Sequence, residues 1–124
     1  MDLRLQTYQL EATTVVQVAG DIELSNASQL KSDLRSACEQ DACRVVVDMS
    51  EVTFIDSTGI GVLVGALKRT REQNGSFALI CPQPRVRRVF EITGLLQVMP
   101  LFNTIDEALG QDTPPGNEKE QNDD

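Results

Sequence analysis

Apolar positions along the chain follow two periods. Near the start they alternate, and later they recur at three and four residues, the spacings of a strand and of a helix face. Leu3–Leu10 alternates imperfectly and Thr13–Ala19 (TTVVQVA) is β-branched, with Glu11 and Ala12 between them, which predicts a β-hairpin. Gly20 and Asp21 are expected to end the second strand, with Ile22 and Leu24 anchoring the loop beyond it. Ser25 or Asn26 is a capping residue for a helix whose core stripe is Ala27, Leu30, Leu34 and Ala37, closed by Gln40 and Asp41. Arg44–Met49 reads as a strand, and its run Val45-Val46-Val47 is typical of one covered on both faces. Asp48, Ser50 and Glu51 break that run, and Val52 and Phe54 are expected to return a loop to the core. Ile60, Leu63, Val64 and Leu67 then mark a helix face opening on Ser57, an N-cap residue type, and stopping near Asn74-Gly75.

The remainder continues the alternation of strand and helix. Ser76–Cys81 is a strand ended by Pro82 and Pro84. A helix over Arg85–Thr93 turns Val86, Val89 and Phe90 inward and leaves Arg85, Arg87 and Arg88 solvated, and Gly94 stops it. Leu95, Leu96, Val98 and Leu101 form a short apolar return with a last strand, and Asn103 caps a final helix over Thr104–Leu109. The order ββαβαβα(β)α predicts an α/β fold: a mixed, mostly parallel sheet with helices mainly on one face. One domain over 1–110 is expected, followed by an acidic tail, QDTPPGNEKEQNDD over 111–124, that lacks apolar anchors and is expected to be disordered.

Charge narrows the partners. The formal net charge is −8, of which the segment after Leu109 carries −4 through Asp112, Glu118, Glu120, Asp123 and Asp124 against Lys119. The body is therefore acidic as well, which disfavours nucleic acid and suits basic protein partners. MDLRLQTYQL lacks the basic-then-apolar pattern of a signal peptide, and no apolar run is long enough for a membrane span, so a cytoplasmic protein is expected. The three cysteines, Cys38, Cys43 and Cys81, form no CxxC pair and the chain has no histidine. Buried structural thiols are the favoured reading, with a redox pair of Cys38 and Cys43 as the alternative, and no metal or cofactor is implied.

The absence of histidine removes any His-dependent catalytic triad. Asp56-Ser57-Thr58-Gly59 departs from the aspartic-protease pattern at Thr58, and Ile55 stands where a nucleophile elbow needs glycine. No Gly-Lys-Ser/Thr phosphate loop exists, and Gly59-x-Gly61 is only a fragment of a dinucleotide fingerprint. What remains is a modifiable serine. A phosphate on Ser57 would add about −1.5 to −2 charges at a helix N-terminus, where the dipole offsets its repulsion with Asp56. On the far side of that helix, Thr58, Gly61, Val62, Gly65, Ala66 and Arg69 make a small, smooth face. Either a partner docks there, or Gly61 and Gly65 pack under another element of the same domain; both readings stand at this point.

The stretch VDMSEVTFIDSTGIGVLV, with ITGL at Ile92–Leu95 as a second anchor, resembles the bacterial anti-sigma factor antagonists, stand-alone STAS domains, over nearly all of Leu3–Leu109. The resemblance implies a monomer or weak dimer that binds an anti-sigma factor which is also a serine kinase, and so frees a sigma factor. It makes Ser57 the phosphoacceptor whose modification breaks the complex, Thr58 a secondary one, and a metal-dependent phosphatase the enzyme that restores binding. Partner contacts are expected at Asp56, Thr58, Gly59, Gly61, Val62 and Gly65, and at Asp21, Glu23, Ser25 and Asn26 in a second region. Gly20-Asp21-Ile22-Glu23 stands where the family commonly has Gly-Glu-Leu/Ile-Asp. The alternative is a STAS scaffold subunit in a signalling or transporter assembly that is not switched. Neither reading makes the chain an enzyme.

Overall fold

The computed structural model describes residues 2–111. In chain order it contains β1 (Arg4–Leu10), β2 (Thr13–Ile22), α1 (Ala27–Ala37), β3 (Arg44–Ile55), α2 (Ser57–Glu72), β4 (Ser76–Ile80), α3 (Pro84–Ile92), a 3-10 turn at Leu95–Gln97, β5 (Leu101–Phe102) and α4 (Ile105–Gln111). The strands form one sheet in the order β1-β2-β3-β4-β5. β1 and β2 pair antiparallel through the tight turn at Glu11-Ala12, and every later neighbour is parallel. This is the mixed, mostly parallel α/β sheet that the sequence implies. The expected tail from residue 112 onward lies outside the described residues, and Gln111 belongs to α4.

Alternation along the central strands divides the core into two layers. Val16, Val18, Val45, Val47 and Leu79 face α1, α2 and α3, where they meet Leu30, Leu34, Leu63, Leu67 and Phe90. Val15, Val46, Ala78 and Ile80 point the other way, against Ala108 and Ile105 of α4. Three helices therefore share one face and the fourth covers the other, which explains why the Val45-Val46-Val47 run shows no polar position.

β2 and β3 both run further than their hydrophobic pattern indicates. Thr14–Gln17 pair with Val45–Asp48 in regular register, and after two irregularities Asp21 and Ile22 pair with Phe54 and Ile55. Bulges carry the strand past Ser50 and Glu51, the residues that read as a loop. Their displaced carbonyls find a common partner in Gln83, just before α3. Its Nε2 lies 2.8 Å from Met49 O, 2.5 Å from Ser50 O and 2.8 Å from Val52 O. The bulges also reset which side chains face in. Val52 and Ile55 are buried, whereas Phe54, expected in the core, is 49% exposed.

The last third departs from expectation in detail. The apolar return is a 3-10 turn plus a two-residue strand, and Met99 is its buried anchor. Arg87 is not merely solvated: its Nη1 donates to Cys81 O at 3.3 Å and Asn103 Oδ1 at 3.2 Å. Thr104, not Asn103, caps α4. Its Oγ1 accepts from Glu107 N at 3.2 Å, while Glu107 Oε1 accepts from Asn103 N at 3.0 Å, a near-reciprocal cap.

After α2, Asn74 adopts a left-handed φ of 62° and Gly75 enters β4 directly over the start of β3. A Cβ at Gly75 would overlap the Cys43 backbone, which cannot swing aside as a side chain can. Gly75→Ala is expected to destabilise the domain by about 2 kcal/mol or more. The check is the midpoint of urea unfolding, and an unchanged midpoint would contradict this close packing.

Candidate functional site

The parallel strands β2 and β3 end side by side, so the loop after β2 and the start of α2 emerge together. Asp56 fastens them. Its Oδ1 accepts from Gly59 N at 3.0 Å, which makes Asp56 the N-cap of α2. Its Oδ2 accepts from Leu24 N at 3.0 Å, across 32 positions of sequence. The Asp56 amide in turn donates to Ile22 O at 3.0 Å. One residue thus closes the helix end and holds the neighbouring loop against it.

Ser57 is consequently not the N-cap that its residue type suggests. It is the first residue of the helix, exposed, and its hydroxyl forms no hydrogen bond among the described residues. Asp56 wins the cap because its second oxygen is held by Leu24 at the same time. Thr58, next along, is half-buried and turned toward α1.

The loop from Asp21 to Asn26 is held from within. Asn26 Oδ1 accepts from Glu23 N at 2.9 Å, and its Nδ2 donates to Asp21 O at 3.0 Å. Asn26 sits at the N-cap position of α1, where its carbonyl accepts from Gln29 N at 3.1 Å, yet its side chain bonds no amide of that helix. Asp21 Oδ1 accepts from the Thr53 hydroxyl at 2.6 Å, and this bond chiefly holds the Asp21 carboxyl below its ordinary pKa. Asp21, Asn26 and Asp56 thus spend polar atoms on the framework. Ser25 points outward fully and Glu23 in part.

Two outward residues escape sequence reasoning. Leu24, expected as an anchor, is 77% exposed, and Phe54, near the end of β3 and paired with Asp21, is 49% exposed. Leu24 is an apolar residue among polar loop neighbours, and that mismatch is the only local signal. Phe54 has none, because its orientation is set by the bulges. Gly59 moves in the opposite sense. It is buried, and a Cβ there would lie 2.7 Å from both Ile22 Cγ2 and Ile55 Cγ1. Its place is therefore beneath α2, seating the helix on the strand ends.

The smooth face of α2 opens onto a groove shared with α1, of about 310 Å³. Thr58, Gly61, Val62 and Gly65 line it from α2, and Lys31, Leu34 and Arg35 from α1. A Cβ at Gly61 or Gly65 would meet no atom within 4 Å, so neither glycine packs under another described element.

Residues 4–108 match the STAS domain family. The chain belongs to that family. A curated relative, the anti-sigma-B factor antagonist of Listeria monocytogenes, is 36% identical over 93 residues, spanning 75% of this chain and 82% of the relative. The crystal structure of an anti-sigma factor antagonist from Mycobacterium paratuberculosis superposes with a TM-score of 0.82 at 27% identity, over 90% of this chain and 94% of that one. The anti-sigma factor antagonist SpoIIAA in its unphosphorylated form gives a TM-score of 0.72 at 26% identity, over 86% and 93%. A structure of SpoIIAA in its phosphorylated form is similar to this chain as well, with a TM-score of 0.66 at 24% identity, over 89% of this chain and 98% of that one.

The remaining chemistry of this STAS domain is quiet. Cys38, Cys43 and Cys81 are free and buried. Burial, and secondarily the neighbouring Cys43, pushes the Cys38 thiol up to about 12, and burial pushes Cys81 up to about 11. The Cys38 and Cys81 thiols therefore stay protonated near neutral pH, as structural thiols do. Among the described residues no group of three His, Cys, Asp or Glu is placed to hold a metal ion, and no helix is long and apolar enough to cross a membrane.

Replacing Asp56 with alanine removes a helix cap and the bond that holds Leu24. Asp56→Ala is expected to cost about 1–2 kcal/mol and to speed exchange at the amides of both Gly59 and Leu24. Hydrogen exchange read residue by residue checks this, and slow exchange retained at Leu24 would contradict the bridging role. The glycines of the groove predict the opposite sign. An unhindered Gly65→Ala gains helix propensity, so it is expected to raise stability by about 1 kcal/mol in a thermal melt.

Proposed function

We propose that this STAS domain is an anti-sigma factor antagonist switched at Ser57. Its unphosphorylated form binds an anti-sigma factor that is also a serine kinase, and this frees the sigma factor. The observation that carries the reading is the Ser57 hydroxyl, exposed and unengaged on the first residue of α2, directly beside the Asp56 bridge. Attack of Ser57 Oγ on the γ-phosphorus of ATP forms the O–P bond, ADP leaves, and the hydroxyl proton passes to a base of the kinase. Ser57 is favoured over Thr58, which is half-buried. The names of the relatives, and the existence of SpoIIAA in phosphorylated and unphosphorylated forms, support this reading.

The site accepts a phosphate without unfolding. The leading amides of α2 have no intrahelical partner, and the helix dipole favours an anion there. The partner does not accept it. A dianion between the Leu24 loop and the groove lies where an interface would otherwise exclude water, so closing over it costs desolvation as well as repulsion with Asp56. The partner surface combines the N-terminal part of α2 (Asp56, Thr58, Gly61, Val62 and Gly65) with the loop carrying Asp21, Glu23, Ser25 and Asn26. A metal-dependent phosphatase would restore binding by hydrolysis of the Ser57 phosphoester. The cycle takes place in the cytoplasm and needs neither cofactor nor turnover by the domain itself.

In the presence of ATP, wild-type protein is expected to lose its complex with the kinase while Ser57→Ala keeps it. Ser57→Glu is expected to bind at least tenfold more weakly even without ATP, a difference of about 1.4 kcal/mol. Titration calorimetry against the purified anti-sigma factor measures both. Equal affinities for Ser57→Ala and Ser57→Glu would overturn the switch.

A further inference from the structure

We propose that the groove between α1 and α2 receives an acidic amphipathic helix of the anti-sigma partner. The inference rests on the function proposed above and gives the chemistry of what that partner presents. The chain carries a net charge of −8, yet every charged residue lining the groove is a cation: Lys31, Arg35 and Arg69. None of the three forms an ion pair or side-chain hydrogen bond among the described residues. The acidic body that suits basic partners elsewhere therefore reverses sign at this face.

The shape selects a helix. Gly61, Gly65 and Arg69 recur at four-residue spacing along α2, opposite Lys31 and Arg35, which are one turn apart on α1. With no side chain at Gly61 and Gly65, and no atom within 4 Å of where one would be, a second helix axis can approach α2 closely. Leu34, Val62 and Ala66 supply an apolar floor for its buried stripe. The cations stand on both walls, so carboxylates are required on both flanks of that stripe. From Thr58 to Arg69 the groove follows about 17 Å of helix, roughly three turns of an incoming one.

The arrangement also gives the switch its sign. Thr58 lines the end of the groove next to Ser57. A phosphate on Ser57 adds negative charge at the mouth of a groove that holds its occupant through carboxylates, so it repels the occupant directly.

The test uses the full chain and the anti-sigma factor that co-purifies with it, re-expressed and purified, in titrations without ATP at several salt concentrations. Arg35→Glu combined with Arg69→Glu is expected to weaken binding at least tenfold and to flatten the salt dependence seen with wild type. Gly65→Leu is expected to weaken binding comparably while melting no lower than wild type, which separates loss of approach from loss of fold. Wild-type affinity retained by both variants overturns the groove proposal and leaves the Ser57 switch standing. A wild-type chain that binds no anti-sigma factor overturns the function itself. A loss on charge reversal that disappears once residues 112–124 are deleted assigns the groove to the chain's own acidic segment, and overturns the partner helix.

Discussion

The two oxygens of the Asp56 carboxylate are divided between the end of a helix and a loop 32 positions earlier in sequence. Without that division the loop after β2 and the start of α2 would lack this bond between them. With it, Leu24, Ser57 and the first turn of α2 are brought into one patch at the end of the parallel strands. Parallel pairing of β2 with β3 brings the segments together, and Gly59 allows α2 to sit low enough for both bonds to form. Under the proposed switch, a phosphate on Ser57 would stand next to the loop and the helix at once.

The parts of this arrangement that local chemistry dictates are legible in the sequence. The run Val45-Val46-Val47, the stripe Ala27-Leu30-Leu34 and the stop at Asn74-Gly75 each report their own surroundings, and each lies where its pattern places it. The parts that depend on distant chain are not. Ser50 and Glu51 look like loop residues because polarity interrupts the strand, but the bulge carbonyls beside them are satisfied by Gln83, more than 30 positions away. Asp56 and Ser57 are both good capping types, and the cap falls to Asp56, which the long-range bonds to Leu24 and Ile22 hold in place. The exposure of Leu24 and Phe54 follows from these same long-range choices, so neither was visible as part of the site. Ser57 itself was, because its motif resembles that of a family.

Stability and function pull apart at the groove. Two glycines on the groove face of α2 forgo about 1 kcal/mol each relative to alanine, and no close contact among the described residues compensates them. Three cations collect on one face of an acidic chain without carboxylates beside them in the groove. Neither feature helps the isolated domain, and both are explained if the face is completed by another molecule. The thiols of Cys38 and Cys81 show the contrasting case: buried and pushed toward the protonated form, they fill space in the core.

The most direct measurement is the phosphate occupancy of Ser57 by mass spectrometry on the protein isolated from its own cells, with and without stress. The account predicts a phosphate on Ser57 whose occupancy changes with condition. A Ser57 that stays unmodified under every condition would contradict it, and would leave the Asp56-anchored patch as a permanent contact surface.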